Sequence, residues 1–162
     1  PANVDDPNFL KEICQVLKRI AERITLVFPV HPRTRKNLDS FGLLSELEYH
    51  TGIHLTEPIS YIPFMNLVFK CSFVLTDSGG IQEETTYLGI PCLTLRPNTE
   101  RPITITQGTN KLCKLNEIEE LIEHFLSNKN QTGNIPDLWD GHTAERVSKS
   151  IEYFLKCARP IN

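Results

Sequence analysis

Five short runs of branched and apolar residues, centred near residues 26, 54, 74, 93 and 111, alternate with segments whose apolar residues recur at helical spacing. Parallel strands cannot be joined by tight hairpins and need crossover connections, which helices supply. The chain is therefore read as an α/β protein, a doubly wound parallel sheet with helices on both faces. Strands are expected at 24–30, 53–55, 73–76, 91–95 and 109–112, the first of them continuously apolar as a strand buried on both sides should be. Helices are expected from Asp6 to Ile20, with Asp6 as cap and Pro7 in the first turn, and over 31–39 and 60–70, where Pro63 is tolerable only in a first turn. Three more follow: Gly80 to Leu88, ended by Gly89; Asn116 to Leu126, with Asn116 and Glu119 as cap and N3 partner; and Thr143 to Cys157. A polar link over 127–133 precedes the last. All 162 residues, 40% of them hydrophobic, fit one domain.

Charge and cysteine usage narrow the classes. Seventeen basic against 20 acidic residues leave a net charge of −3, so the broad positive field of a nucleic-acid binder is missing. Uncharged stretches such as 58–69 fall short of the roughly 18 to 20 apolar residues that cross a bilayer, and a membrane partner is not expected. Cys14, Cys71, Cys92, Cys113 and Cys157 are an odd set without a CxxC pair, which favours buried free thiols over disulfides or a zinc site. A cytoplasmic location is expected.

In open parallel sheets ligands bind beyond the carboxyl ends of the strands, which directs attention to the loops after Val30, Leu55, Thr76 and Leu95. The third loop is the most informative. Leu75-Thr76-Asp77-Ser78-Gly79-Gly80-Ile81-Gln82-Glu83-Glu84 takes a strand through Ser-Gly-Gly straight into a helix. Two residues without Cβ let a ligand approach the backbone, the first N–H groups of the helix point outward, and the helix dipole adds partial positive charge. A diphosphate fits there, with Ser78 adding a hydroxyl. Glu84, one turn beyond Gly80, is placed for the two hydroxyls of an attached ribose. The same residues also suit a Gly-rich turn capped by Asp77 or Ser78, with Glu83 and Glu84 as ordinary first-turn acids. Neither GxGxxG nor GK[ST] is present.

Val74 to Glu84, Leu88-Gly-Ile-Pro-Cys-Leu-Thr-Leu-Arg96, Asn98-Thr-Glu-Arg-Pro102 and Gly108-Thr-Asn110 together closely resemble the non-hydrolysing UDP-N-acetylglucosamine 2-epimerases. Flanking matches are Phe28-Pro-Val-His-Pro-Arg-Thr-Arg35, Glu57-Pro-Ile-Ser-Tyr-Ile-Pro-Phe64 and Trp139-Asp-Gly-His-Thr-Ala-Glu-Arg146. The resemblance runs from about Asn3 to Arg146 and covers only the C-terminal half of such an enzyme. It implies one Rossmann-like half of a glycosyltransferase-B-like fold, whose UDP-sugar lies between two halves. It implies interconversion of UDP-GlcNAc and UDP-ManNAc by loss and re-addition of UDP, with neither metal nor redox cofactor, in a full-length enzyme that is a homodimer. By motif position Ser78, Gly79 and Gly80 would hold the diphosphate, Glu84 the ribose, and Phe64 the uracil. His31 would face the cleft, and Arg101 would bring charge to the sugar or phosphate.

Several of these positions keep a second reading. Phe64 also has the spacing of a core residue with Tyr61 and Val68. His31 also suits a helix cap or the surface, and Arg101 an ion pair with Glu100 or another neighbour. Arg33, Arg35 and Lys36 read most simply as a solvated helix face. The carboxylates credited with proton transfer in these enzymes have no counterpart here, so no catalytic residue is assigned within the chain. Ala2 stands where the family has Glu, and Ile103 where it usually has Glu. Pro1 reads as a cut end, with the first, central strand upstream of it, so that the strands at Leu26 and Val74 would flank an empty lane. The competing expectations are a non-catalytic nucleotide-sugar-binding module and the donor-binding domain of a glycosyltransferase-B-type transferase.

Overall fold

A computed structural model describes residues 3–127 and 133–157. In chain order its elements are α1 (Pro7–Ala21), β1 (Leu26–Pro29), α2 (Pro32–Ser40), α3 (Leu44–Glu48), β2 (Ile53–Thr56), α4 (Tyr61–Lys70) and β3 (Val74–Thr76). There follow α5 (Gly79–Leu88), β4 (Cys92–Thr94), α6 (Pro102–Thr106), β5 (Asn110–Leu112), α7 (Ile118–Ser127) and α8 (Thr143–Cys157). Every described pairing is parallel, as the alternation requires. β1 pairs with β2, Leu26 opposite Ile53, and β3, β4 and β5 form a second sheet in that order, with Leu75, Leu93 and Lys111 in register. Among the described residues no ladder joins β1 to β3. The break falls at the lane that the sequence reading leaves between the strands at Leu26 and Val74.

Helix α1 holds the two sheets in one body. Asp6 Oδ1 accepts the Phe9 N–H at 2.8 Å and Pro7 opens the first turn, so the helix starts where the sequence indicates. Leu10 and Cys14 are buried with Val30, Leu38, Leu47 and Ile53, on the side of the first sheet. Val16 and Ile20 are buried with Leu93, Cys113, Ile118 and Ile122, on the side of the second. Burying Leu10, Val16 and Ile20 contributes about 1.5–3 kcal/mol each. Arg19 and Glu119, 2.7 Å apart, tie α1 to α7, and Arg23 pairs with Glu123. At the carboxyl ends of the strands Asn3 Nδ2 donates to the Leu95 carbonyl at 2.9 Å, while Arg33 takes Asp5 at the start of α2.

The structure differs from the expectations in three places. Helices α3 and α6 were not expected, because five residues are too few to display a period. The start of α7 is a 3-10 turn over Leu115–Glu117, and the Lys114 N–H donates to Glu117 Oε2 at 2.8 Å. Asn116 and Glu119 are therefore not its capping pair; Glu119 faces α1 and is taken by Arg19. Helix α8 forms over the expected residues, but none of its side chains is buried, and Val147, Ile151, Phe154 and Leu155 stay exposed. Most of the link over 127–133 lies outside the described residues. No described helix is long and apolar enough to cross a membrane.

The packing generates two predictions. Cys14, Cys92 and Cys113 are buried, and burial pushes each thiol up to about 11. Iodoacetamide at pH 8, followed by mass spectrometry, is expected to label the exposed Cys157 first and these three only on unfolding. A Cβ on Gly108 would lie 2.4 Å from Thr86 Oγ1 and 2.6 Å from the Thr104 carbonyl. Gly108→Ala is expected to destabilise the fold by about 1–3 kcal/mol in urea unfolding, the usual cost of overpacking.

Candidate functional site

The loop after β3 leads into α5 as a strand-to-helix turn. Ser78 is the N-cap, in extended conformation, and its hydroxyl makes no capping bond. Its own N–H is occupied, donating to Thr76 Oγ1 at 3.0 Å. The N–H groups of Gly79 and Gly80 belong to the first turn and have no acceptor within the helix. A Cβ on Gly80 would meet nothing within 4 Å, and one on Gly79 only Glu100 Oε1 at 3.7 Å. Neither glycine has a positive φ. Packing in this chain thus requires glycine at Gly108 and at neither Gly79 nor Gly80, whose outer side is open.

Glu84 lies one turn further on and is half-buried. Its carboxylate lies near the Tyr61 hydroxyl at the start of α4, and its negative charge pushes the Tyr61 pKa up. The first turn of α4 and the body of α5 therefore meet at the carboxylate assigned to the ribose. Phe64, one turn after Tyr61, is half-buried against the cluster of Val68, Ile81 and Ile90. Its ring is thus partly committed to the core, the second of its two readings.

His31 and Arg101 each make the contact that their second reading names, and neither contact excludes the first. His31 is exposed at the end of β1 and is the N-cap of α2, its Nδ1 accepting the Arg33 N–H at 3.2 Å. It stands beyond the first sheet, whereas Ser78 follows the second. Arg101 Nε lies 3.0 Å from Glu83 Oε1, an ion-pair contact without hydrogen-bond alignment. The partner is Glu83, because Glu100 is held by Arg96 at 3.2 Å. Its own backbone N–H, and then Arg96, keep the Glu100 carboxyl below the usual range, so it is ionised beside Gly79. The expected solvated basic face is also paired: Arg33 with Asp5, and Arg35 with Glu48 and Glu57.

Behind the turn lies a buried polar network that sequence reasoning missed. Gln82 is 0% exposed, and Thr94, Thr104 and Asn110 are buried with it. Gln82 Nε2 donates to the Ser78 carbonyl at 3.1 Å, while its Oε1 accepts from Thr99 Oγ1 at 2.7 Å and Asn110 Nδ2 at 3.0 Å. Asn110 Nδ2 also donates to Thr104 Oγ1 at 3.1 Å, and its Oδ1 accepts from Thr94 Oγ1 at 2.6 Å. Thr99 Oγ1 in turn accepts the Arg101 N–H at 3.0 Å. The available signal was Gln82 itself, one turn after Ser78 on a helix whose other inward positions are Ile81, Thr85 and Thr86. Among the described residues no group of three or more His, Cys, Asp or Glu side chains is placed to hold a metal ion.

Comparison with known proteins shows what the chain and its fold are similar to. The sequence profile of the UDP-N-acetylglucosamine 2-epimerases matches residues 1–152. A UDP-N-acetylglucosamine 2-epimerase of Methanocaldococcus jannaschii is 38% identical over 155 residues, covering 93% of this chain and 42% of the relative. A UDP-2,3-diacetamido-2,3-dideoxy-D-glucuronate 2-epimerase of Pseudomonas aeruginosa is 37% identical over 111 residues, 68% of this chain and 30% of the relative. The crystal structure of the M. jannaschii enzyme in complex with UDP-GlcNAc and UDP superposes with a TM-score of 0.85 at 36% identity, over 94% of this chain and 42% of that one. The chain thus spans about two fifths of the length of the M. jannaschii relative. By the extent of these matches, the chain belongs to the UDP-N-acetylglucosamine 2-epimerase family.

Proposed function

We propose that this chain is the UDP-holding part of an epimerase that interconverts UDP-N-acetylglucosamine and UDP-N-acetylmannosamine. The observation that carries the proposal is the open outer side of Gly79 and Gly80 at the start of α5. Glycine there is not needed for packing, and a ligand that must approach the backbone accounts for it. The diphosphate is held by the first-turn N–H groups and the Ser78 hydroxyl. The ribose hydroxyls are taken by Glu84, in competition with Tyr61. Phe64 offers the uracil the part of its ring that the core leaves uncovered, and Arg101 reaches the ligand by exchanging Glu83 for it. His31 caps α2 through Nδ1, and its Nε2, at the carboxyl end of β1, is kept for the ligand.

The chemistry follows from what UDP does as a leaving group. A base removes the proton at C2 of the sugar while the C1–O bond to UDP breaks, giving a glycal. UDP adds back after protonation on the opposite face. Negative charge grows on the departing diphosphate, so fixed N–H donors aimed at it stabilise the transition state as well as the bound nucleotide. The residues that move the proton belong to the part of the enzyme that this chain does not span. The named relatives act on two different UDP-sugars. Both substrates are 2-acetamido sugars carried on UDP, so the nucleotide is among the parts they have in common.

Calorimetric titration with UDP tests the proposal. The wild-type chain is expected to bind. Gly80→Ala is expected to fold with equal stability, or up to about 1 kcal/mol more, since Ala suits a helix better than Gly. It should nevertheless lose at least about tenfold in UDP affinity, the equivalent of one good hydrogen bond. Glu84→Ala is expected to weaken UDP binding by a similar factor. Unchanged affinity in a folded Gly80→Ala would overturn the cradle. The chain alone is expected to give no UDP-ManNAc from UDP-GlcNAc by NMR; steady turnover would overturn the division of labour.

A further inference from the structure

We infer that Gln82 and Asn110 are positioning residues that aim and polarise the Gly79 N–H from behind. The inference rests on the nucleotide reading above and assigns roles to two side chains which that reading leaves unused.

The hydrogen bonds around the two amides run in one direction. Thr94 Oγ1 donates to Asn110 Oδ1, Asn110 Nδ2 to Gln82 Oε1, and Gln82 Nε2 to the Ser78 carbonyl. The orientations are fixed by exclusion. Turning the Gln82 amide over would set its NH2 against that of Asn110 and its oxygen against the Ser78 carbonyl. Turning Asn110 over would set its oxygen against Gln82 Oε1. Both acceptor positions of Gln82 Oε1 and both N–H groups of Asn110 are used. The pair therefore has one satisfied state, held in a buried layer where a misdirected polar group is costly.

The relay ends on the atom that matters for an anion. The Ser78 carbonyl and the Gly79 N–H belong to one peptide unit, so a donor on that oxygen draws charge toward it and leaves the N–H more positive. The bond from the Gln82 side chain to the Ser78 carbonyl pins the plane of the peptide, and with it the direction of the Gly79 N–H. Thr99 reaches Gln82 from the other side and accepts the Arg101 N–H, so one amide sets the turn and the neighbouring loop together.

The test compares UDP with uridine on the 162-residue chain. Gln82→Met keeps the shape and removes the relay; Thr94→Val and Thr99→Val each remove one hydroxyl that feeds it. Gln82→Met is expected to weaken UDP binding about five- to thirtyfold, as loss of a hydrogen bond does, with uridine affinity within about twofold of wild type. Each Thr→Val is expected to weaken UDP by about two- to fivefold, again without moving uridine. A purely structural role would lower the unfolding temperature and weaken both ligands alike, or neither, and either result overturns the inference. If Gln82→Met does not fold, the two Thr→Val variants decide by the same criterion. A wild-type chain that binds neither ligand overturns the nucleotide reading alone. The relay is then judged by the Gly79 amide proton in NMR. It shifts in Thr94→Val more than the Thr86 amide does if the inference holds, and no more than Thr86 if it fails.

Discussion

Helix α1 must bury two apolar faces at once, and the rest of the structure depends on its doing so. The two parallel sheets share no described ladder, so backbone hydrogen bonding does not hold them together. What does is a 15-residue helix whose Leu10 and Cys14 go to one core and whose Val16 and Ile20 go to the other. Residues six positions apart on a helix point in well-separated directions, which lets one helix serve two clusters. The clip made by Asn3 on Leu95 and by Asp5 on Arg33 works at the same end of the sheets. The relative placement of His31 and Ser78 is thus set by side-chain packing and a few polar ties. That is a softer constraint than a continuous sheet.

The candidate anion site contains little free positive charge. Arg96 is occupied by Glu100, Arg101 by Glu83, and Arg33 and Arg35 by acids elsewhere. An ionised Glu100 even lies beside Gly79. With its arginines paired, the site is suited to a diphosphate through fixed dipoles and through paired cations that exchange partners. The polar layer behind α5 fits that requirement. Thr94, Thr104, Gln82 and Asn110 hold the turn rigidly at a point where an apolar core would leave its peptide planes free to tilt.

Much of this was legible in the sequence, and the failures share a cause. Strand and helix order followed from periodicity, and the end of α5 at Gly89, with φ of 70°, from the chemistry of glycine. The Ser-Gly-Gly start was legible because its signal is contiguous. Illegible were the facts that depend on who sits opposite. His31 caps because Arg33 turns back toward it, Arg101 pairs with Glu83 because Glu100 is already held, and Glu119, in the first turn of α7, serves Arg19 across 100 residues instead of a cap. Gln82, next to Glu83 and Glu84 in the chain, gains its role only when Asn110, 28 residues away, is brought beside it. Helix α8 shows the converse: its period is plain, but no described partner covers its apolar stripe, and a period alone does not name one.

The glycines show how a conformational argument becomes a functional one. Gly108 and Gly80 belong to motifs that look equally telling in the sequence. At Gly108 the neighbouring backbone and Thr86 leave no room for a Cβ, so packing explains the residue completely and nothing about function follows. At Gly80 the protein leaves the space open, and packing gives no reason for glycine over alanine. A residue kept against its own helix propensity, at the end of a polarised helix and beside a pinned peptide, needs a cause outside the fold. On the reading proposed here that cause is UDP, which the substrates after which the relatives are named have in common. A site built from backbone N–H groups suits a common part. It recognises charge and shape close to the main chain, and leaves discrimination between sugars to side chains that can vary without disturbing it.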